Sequence, residues 1–350
     1  MRDSGIAQRL PRLWYRPTLA AALLPLLPLS WLFRLIVGLR RNLYRCGLIR
    51  SEQLPVPVIV VGNLTVGGSG KTPLVLWLVE QLRQAGKKPG IISRGYKGLA
   101  EGNHAVDPAA SSSNVGDEPL LLARRSGAPV FVGRDRVAAG HALLAAHQDC
   151  DIIVSDDGLQ HYRLQRTIEI AVFDGRGAGN GQLLPAGPLR EPLQRLRATT
   201  AVVWNSTTAA QTGLTRQTLD LPQFTMHLTG RRFVSLNDPN RQCTADELRH
   251  KRLYAIAGIG DPARFFAQLE SMGLRFTARP FPDHHQYAPE DLAFAEDGIL
   301  LMTEKDAVKC AAFISQEAWM LPIDAQLDST PDCASLLNLI LEKLDGRSSA

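Results

Sequence analysis

The sequence predicts an α/β protein: a parallel sheet flanked by helices, a second and smaller α/β lobe, and a membrane-associated helix at the N-terminus. Three observations carry this expectation. Short β-branched runs alternate with stretches of helical spacing, a glycine-dense turn joins the first such pair, and an uncharged apolar run lies between arginines near the start of the chain. Alternation of this kind describes buried parallel strands joined by helical crossovers.

With 350 residues, 45% of them hydrophobic and 21% charged, the chain can bury a large core, and its length suggests two lobes. The formal charge of +5 is unevenly placed: residues 1–50 hold nine Arg, no Lys and one acid, net +8, which leaves −3 for the other 300 residues. Basic residues gathered beside an apolar run suit an anionic membrane surface. Nucleic-acid binding would need them spread over a folded face, so no nucleic-acid partner is expected. Five scattered cysteines without C-x-x-C spacing imply neither a disulfide framework nor a zinc site.

The apolar run "TLAAALLPLLPLSWLF" (18–33) lies between Arg16 and Arg34. As a helix it would be about 24 Å long, short of the roughly 30 Å hydrocarbon layer. Pro25 and Pro28 weaken a straight span further, and no small-residue cleavage site closes the run. An inserted or interfacial anchor is expected over 1–50, with a buried structural helix as the competing reading. Next comes "VPVIVVGN" (56–63), continuous and β-branched as a strand buried on both faces should be. "TPLVLWLVEQLRQAG" has helical spacing and stops at Gly86, while "KPGIIS", "APVFVG" and "CDIIVSDDG" read as further strands. These elements define a core over 51–175. A connecting segment is expected over 176–250. A fresh pattern over 251–350 begins with "RLYAIAGIGDP", where Asp261 is placed as helix N-cap and Pro262 at the first helical position.

The glycine-dense turn is "TVGGSGKT", that is Thr65, Val66, Gly67, Gly68, Ser69, Gly70, Lys71 and Thr72. Glycines let backbone N–H groups curl around phosphate oxygens at a helix N-terminus. Lys71 can reach terminal phosphates and the Thr72 hydroxyl can ligate magnesium, so a P-loop NTPase-like core is predicted. The consensus G-x-x-x-x-G-K-[ST] is met in part, because Thr65 stands where its first glycine belongs. "DIIVSDDGLQH" supplies the partner, an apolar strand ending in Asp156 and Asp157, the Walker B arrangement for magnesium. Alone, such a pair is more often a turn or helix cap; the glycine loop reverses that reading. "ISRGYKG" (92–98) offers Arg94, Tyr96 and Lys97 at a strand end, and "VGDEP" (115–119) places Asp117 and Glu118 in a tight turn. Phosphoryl transfer needs positive charge on the moving group and a base for the incoming hydroxyl, roles open to Arg94 and Asp117. In "FPDHHQY" (281–287) the adjacent His284 and His285 point in different directions, which disfavours a bidentate metal site. A general base or a hydrogen-bond partner to a carboxylate suits them better, with a capped loop as the plain alternative.

The stretches "GNLTVGGSGKTP", "SRGYKG", "GDEP", "DDGLQH", "LLPAGPLRE", "FPDHH" and "TEKDAVK", in this order, resemble the tetraacyldisaccharide 4′-kinases, the lipid A 4′-kinases of Gram-negative bacteria. The resemblance spans about residues 10–340. It implies a membrane-attached P-loop kinase on the cytoplasmic face of the inner membrane. Such an enzyme uses ATP and Mg2+ to phosphorylate the 4′-hydroxyl of an acylated glucosamine disaccharide 1-phosphate, giving lipid IV-A. Carried over by motif, Lys71 and Thr72 would hold phosphate and metal with Ser69 beside them. Asp156 and Asp157 would organise the metal, and His161 closes their block. Asp117 looks like the family's base and His284 like its partner from the second lobe. Arg94, Arg136 and Arg190 look like active-site arginines, with Arg134 competing for the Arg136 match. Leu159 stands where the family usually has Phe, an apolar exchange.

Two rival functions are a membrane-associated P-loop NTPase switch and an adaptor with a vestigial nucleotide loop. "TEKD" (303–306) has its lysine one place late for the guanine-reading [NT]-K-x-D pattern, which speaks against a GTPase. Intact Lys71, Thr72, Asp156 and Asp157 speak against an adaptor. No obligate protein partner is evident in the sequence, and "TEKD" itself has no role that spacing suggests.

Overall fold

The computed structural model describes residues 10–16, 18–95, 102–205, 220–328 and 335–346. In chain order its strands are β1 (Val58–Gly62), β2 (Pro89–Ser93), β3 (His104–Ala105), β4 (Val130–Val132), β5 (Ile152–Asp156), β6 (Ile168–Asp174), β7 (Ala201–Asn205), β8 (Gln223–Thr229), β9 (Phe233–Ser235), β10 (Gln242–Cys243), β11 (Leu253–Ala257), β12 (Thr277–Pro280), β13 (Ile299–Thr303), β14 (Ala318–Leu321) and β15 (Asp324–Leu327).

A nine-stranded sheet has the order β15-β8-β7-β6-β1-β5-β2-β4-β3. Its centre is parallel, with β1 between β5 and β6, and its two edge pairs, β3–β4 and β8–β15, are antiparallel. Every residue of β1, β2 and β5 is buried, as their unbroken apolar runs require when helices cover both faces. On one face the helix Lys71–Gln84 packs Leu74, Val75, Leu78, Val79 and Leu82 against the sheet beside helices Asp117–Ser126 and Leu336–Leu344. On the other, Leu143 of the helix Arg136–Ala146 joins Leu183, Leu189 and Phe33. Ligands of such sheets sit beyond the carboxyl ends of the strands, where β1 and β5 deliver the glycine loop and the two aspartates.

The smaller sheet has the order β10-β9-β14-β13-β11-β12 and its own apolar clusters on both faces. Sheet membership differs from the expected partition. Strands β7 and β8, within the stretch expected to connect the lobes, extend the first sheet beside β6. The second sheet begins at Phe233, before residue 251, and the chain returns through β15 and the helix Leu336–Leu344 to the first lobe. The return covers what would be the open edge of β8. Asp261 takes the N-cap position expected for it, yet its side chain makes no capping hydrogen bond.

The N-terminal run continues beyond Phe33: a 3-10 turn over Ala21–Leu26 leads into an α-helix over Leu27–Arg45. Pro25 falls in the 3-10 turn and Pro28 in the first helical turn, where the missing N–H costs no bond, so neither interrupts the helix. One edge docks on the body, with Ser30 Oγ donating to the Leu183 carbonyl at 2.8 Å and Phe33 against the core. Leu32, Leu35, Ile36 and Leu39, at helical spacing, remain more than half exposed, so the segment is not a buried structural helix.

Candidate active site

The turn after β1 is built around two backbone demands. Gly67 and Gly70 have φ of +101° and +91°. A Cβ on Gly70 would lie 2.4 Å from Asn205 Nδ2, which donates to the Ser69 carbonyl at 3.0 Å. Asn63, at the exit of β1, closes the turn by donating from Nδ2 to the Gly67 carbonyl at 3.2 Å and accepting from Lys71 Nζ at 3.2 Å. Thr65, Ser69 and Thr72 are buried, whereas Gly67 and Gly68 are exposed at the tip and Val66 is half-buried. Lys71 Nζ also lies 3.5 Å from Asp157 Oδ1, joining the loop to the end of β5.

Asp157 adopts a left-handed φ of +48°, a strained setting that turns its carboxylate toward two cations. Both carboxylate oxygens accept from Arg190 NH1 at 3.2 Å. Burial would raise its pKa, but Lys71, Arg190 and Arg136 outweigh burial and lower it. Asp156, 1% exposed, has the opposite fate: burial first, then Glu118 and Asp157, push its carboxyl up to about 7. Among the described residues its Oδ1 finds no hydrogen-bond partner, and the same holds for the buried Ser69 Oγ. A carboxyl driven toward protonation among other acids, with an orphaned oxygen beside a helix N-terminus carrying Thr72, is a donor set that fits a hard divalent cation.

Arg136 is 4% exposed and donates from NH2 to the carbonyls of Asp156 and Asp157 at 3.0 and 2.9 Å. It fixes the end of β5 from behind, whereas Arg134 is exposed. Arg94 is exposed at the end of β2, and Tyr96 and Lys97 lie outside the described residues. Among the described residues His161 makes no side-chain hydrogen bond or ion pair with Asp156 or Asp157. Its Nε2 is 4.0 Å from Asp135 Oδ1, and burial followed by the Arg136 charge lowers its pKa to about 4. Among the described residues no three His, Cys, Asp or Glu side chains are grouped as a ready-made metal cage, so a magnesium ion there would rely on nucleotide and water for its other ligands.

Asp117 and Glu118 open the helix Asp117–Ser126 after Gly116, whose φ is +92°, so the expected tight turn is a helix start. Asp117 Oδ2 is hydrogen-bonded to His284 Nδ1 of the second lobe at 3.0 Å, with Lys309 Nζ at 3.8 Å. Burial opposes the charge on Asp117, but His284, Lys305 and Lys309 outweigh it and hold the carboxyl at about 2. The same bond raises the His284 pKa. His285 turns away to Asp291, 2.8 Å from Nε2, so the two histidines do diverge.

The stretch "TEKD" proves to be a cross-lobe clamp. Thr303 caps the helix Glu304–Cys310, Glu304 pairs with Arg125 and Lys305 with Glu118, both on the first lobe. Asp306, fully buried, accepts from Gly258 N, Thr303 Oγ1, Tyr287 OH and Lys309 Nζ. These groups are consumed within the protein, which leaves none of them to read a guanine base.

A phosphate loop whose lysine pairs with a strand-end aspartate, in a lobe whose Asp117 carboxylate is met by an imidazole from the second lobe, belongs to a P-loop kinase rather than to a switch protein. The profile of tetraacyldisaccharide-1-P 4′-kinase matches residues 22–342. The tetraacyldisaccharide 4′-kinase of Dechloromonas aromatica is 51% identical over 347 residues, 99% of this chain and 100% of that protein. Its counterpart from Azoarcus sp. is 54% identical over 304 residues, 87% of this chain and 88% of its own. The crystal structure of LpxK from Aquifex aeolicus in complex with ATP superimposes with a TM-score of 0.78 at 31% identity, covering 91% of this chain and 98% of that one. The chain belongs to the tetraacyldisaccharide-1-P 4′-kinase family.

Proposed function

We propose that the protein transfers the γ-phosphoryl group of ATP to the 4′-hydroxyl of a tetraacyldisaccharide 1-phosphate, a step of lipid A biosynthesis, at the cytoplasmic face of the bacterial inner membrane. The observation that supports the reading is the 3.0 Å bond between Asp117 of the first lobe and His284 of the second, a pair suited to accept a proton.

In this reading the amides of residues 67–71 and the Lys71 ammonium hold the β- and γ-phosphates, and Arg94 on the rim meets the γ-phosphate. Thr72 with Asp156 and Asp157 would hold magnesium, directly or through water, and the ion would neutralise charge on the bridging phosphate oxygens. Arg190 keeps Asp157 turned toward Lys71, and Arg136 keeps the strand end in register with the loop. Asp117, ionised throughout the physiological range, takes the alcohol proton as the sugar oxygen closes on phosphorus, and the His284 imidazolium supports the carboxylate until that moment. Because Asp117 and its partner His284 sit on different lobes, the base loses its support when the lobes part, and water gains no activated position.

The exposed stripe of Leu32, Leu35, Ile36 and Leu39, flanked by Arg34, Arg40 and Arg41, lays the first lobe on an anionic leaflet, where the acceptor's acyl chains remain buried. Incubation with γ-labelled ATP and the acylated disaccharide 1-phosphate tests the assignment. Label on the 4′-oxygen is the expected result; label in free phosphate or at any other oxygen refutes it.

A further inference from the structure

The amides of a phosphate loop face its ligand, so its carbonyls turn outward and need partners of their own to keep one conformation. Asn63 serves Gly67 and Asn205 serves Ser69. The carbonyls of Val66 and Gly68 are served from outside the loop's own neighbourhood. Tyr15 OH donates to the Val66 carbonyl at 3.0 Å, across 51 residues of sequence. Arg176 NH2 donates to the Gly68 carbonyl at 3.1 Å, across 108.

These two side chains form one strut. The Arg176 guanidinium lies 4.4 Å from the centroid of the Tyr15 ring, and its Nε and NH2 grip Asp174 Oδ2 at 2.9 and 2.5 Å. Its polar contacts are thus with the protein. The ring is itself held. Trp14 Nε1 donates to the Pro185 carbonyl at 2.9 Å, and the Trp14 carbonyl accepts from Asn180 N at 2.8 Å. Gly179 makes this docking possible: its φ is +56°, and a Cβ there would stand 2.5 Å from the Trp14 carbonyl. The loop that receives Trp14 also meets the phosphate loop directly, through Val66 N to the Pro188 carbonyl at 2.9 Å.

We propose that Tyr15 and Arg176 are positioning residues for the phosphate loop, holding the Val66 and Gly68 carbonyls from outside so that the amide face stays set for the nucleotide phosphates. Tyr15 stands six residues before Ala21, where the membrane-apposed helix begins, so the segment that meets the lipid surface also braces the nucleotide site. The proposal rests on the reading of residues 65–72 as an ATP site.

The test uses the full-length protein in detergent micelles and compares Tyr15→Phe, Arg176→Lys and the double variant. Tyr15→Phe keeps the ring on the guanidinium and removes a single uncharged donor. Binding of magnesium–ATP is expected to weaken by roughly 2- to 10-fold in Tyr15→Phe, the range of one hydrogen bond. In turnover, KM for ATP is expected to rise by a larger factor than kcat falls, with KM for the lipid acceptor unmoved. The double variant is expected to lose less than the product of the single losses, since both groups support one loop. A role limited to folding would instead lower the thermal midpoint and kcat while leaving the ratio of the two KM values as it was, and that result overturns the proposal. So does unchanged ATP affinity in both single variants while the unsubstituted protein binds ATP. Failure of the unsubstituted protein to bind magnesium–ATP overturns the nucleotide reading first and this proposal with it.

Discussion

Replacing Asp117 with Asn separates the chemistry of the cleft from its nucleotide binding. The side chain is 10% exposed and its carboxyl is held at about 2 instead of 3.8 by His284, Lys305 and Lys309 against the cost of burial. A shift of that size favours the ionised form by about 2 kcal/mol. The neutral amide gives this up, so stability at pH 7 is expected to fall by about 1–3 kcal/mol, with Lys309 still held by Asp306 at 3.1 Å. The sign follows from the lowered pKa: Asp117 contributes fully above pH 3.8 and the contribution fades as pH falls toward about 2, so the variant and the parent should converge in acid. On the rate, removing the proton acceptor is expected to lower kcat by roughly 10²- to 10⁴-fold. In the proposed role the carboxylate meets the acceptor hydroxyl and not the nucleotide, so the affinity for magnesium–ATP should change by no more than about threefold. Steady-state assays with labelled ATP and the acylated disaccharide, beside direct nucleotide binding, give both numbers. A variant that keeps kcat within tenfold, or that loses ATP affinity in step with kcat, refutes the base assignment.

Three further outcomes follow from particular contacts. The His284 imidazole should titrate above the free value of 6.5, because it donates to Asp117; its contribution to lobe contact is complete below 6.5 and fades as pH rises through the raised value. Proton NMR of the histidine ring should show that pKa falling in Asp117→Asn, and an unshifted ring in the parent protein would contradict the pairing. Gly70→Ala should weaken magnesium–ATP binding by roughly tenfold or more, since it joins a φ of +91° to a 2.4 Å approach to Asn205 Nδ2; calorimetric titration measures it, and parental affinity would show that the turn tolerates a side chain. Leu35→Asp with Leu39→Asp, at positions 70% and 62% exposed, should abolish sedimentation with anionic vesicles while leaving ATP binding intact, and retained sedimentation would move the lipid contact elsewhere.

Local features were legible in the sequence where the physics is local. Buried strands β1, β2, β5, β11 and β13 announce themselves as unbroken apolar runs, and the glycine loop has its residues consecutive. Asp117 and His284 could be placed by type of chemistry, although 167 residues separate them. What was hidden depends on distant pairing. Asn205, which braces Ser69, sits 136 residues away at the end of a strand that looked like part of a linker. The "TEKD" clamp is invisible until Arg125 and Glu118 arrive from the other lobe. Arg136 was legible as an active-site arginine by resemblance, yet its two hydrogen bonds go to backbone carbonyls, which no spacing reveals. The uncharged run of the sequence stops at Phe33, whereas the helix extends to Arg45, with Leu35, Ile36 and Leu39 continuing its exposed apolar stripe past Arg34. Cys333 lies outside the described residues, and among those described Cys46 is exposed while Cys150, Cys243 and Cys310 are buried thiols.

The most direct measurement counts ADP released with and without the acylated disaccharide 1-phosphate, in parallel with the phosphorylated lipid formed. If Asp117 of the phosphate-loop lobe and His284 of the second lobe complete a site for a sugar alcohol, each ADP is matched by one phosphorylated lipid, and release without the acceptor is slower by orders of magnitude. ADP release that proceeds at the same rate whether or not the lipid is present would contradict the account.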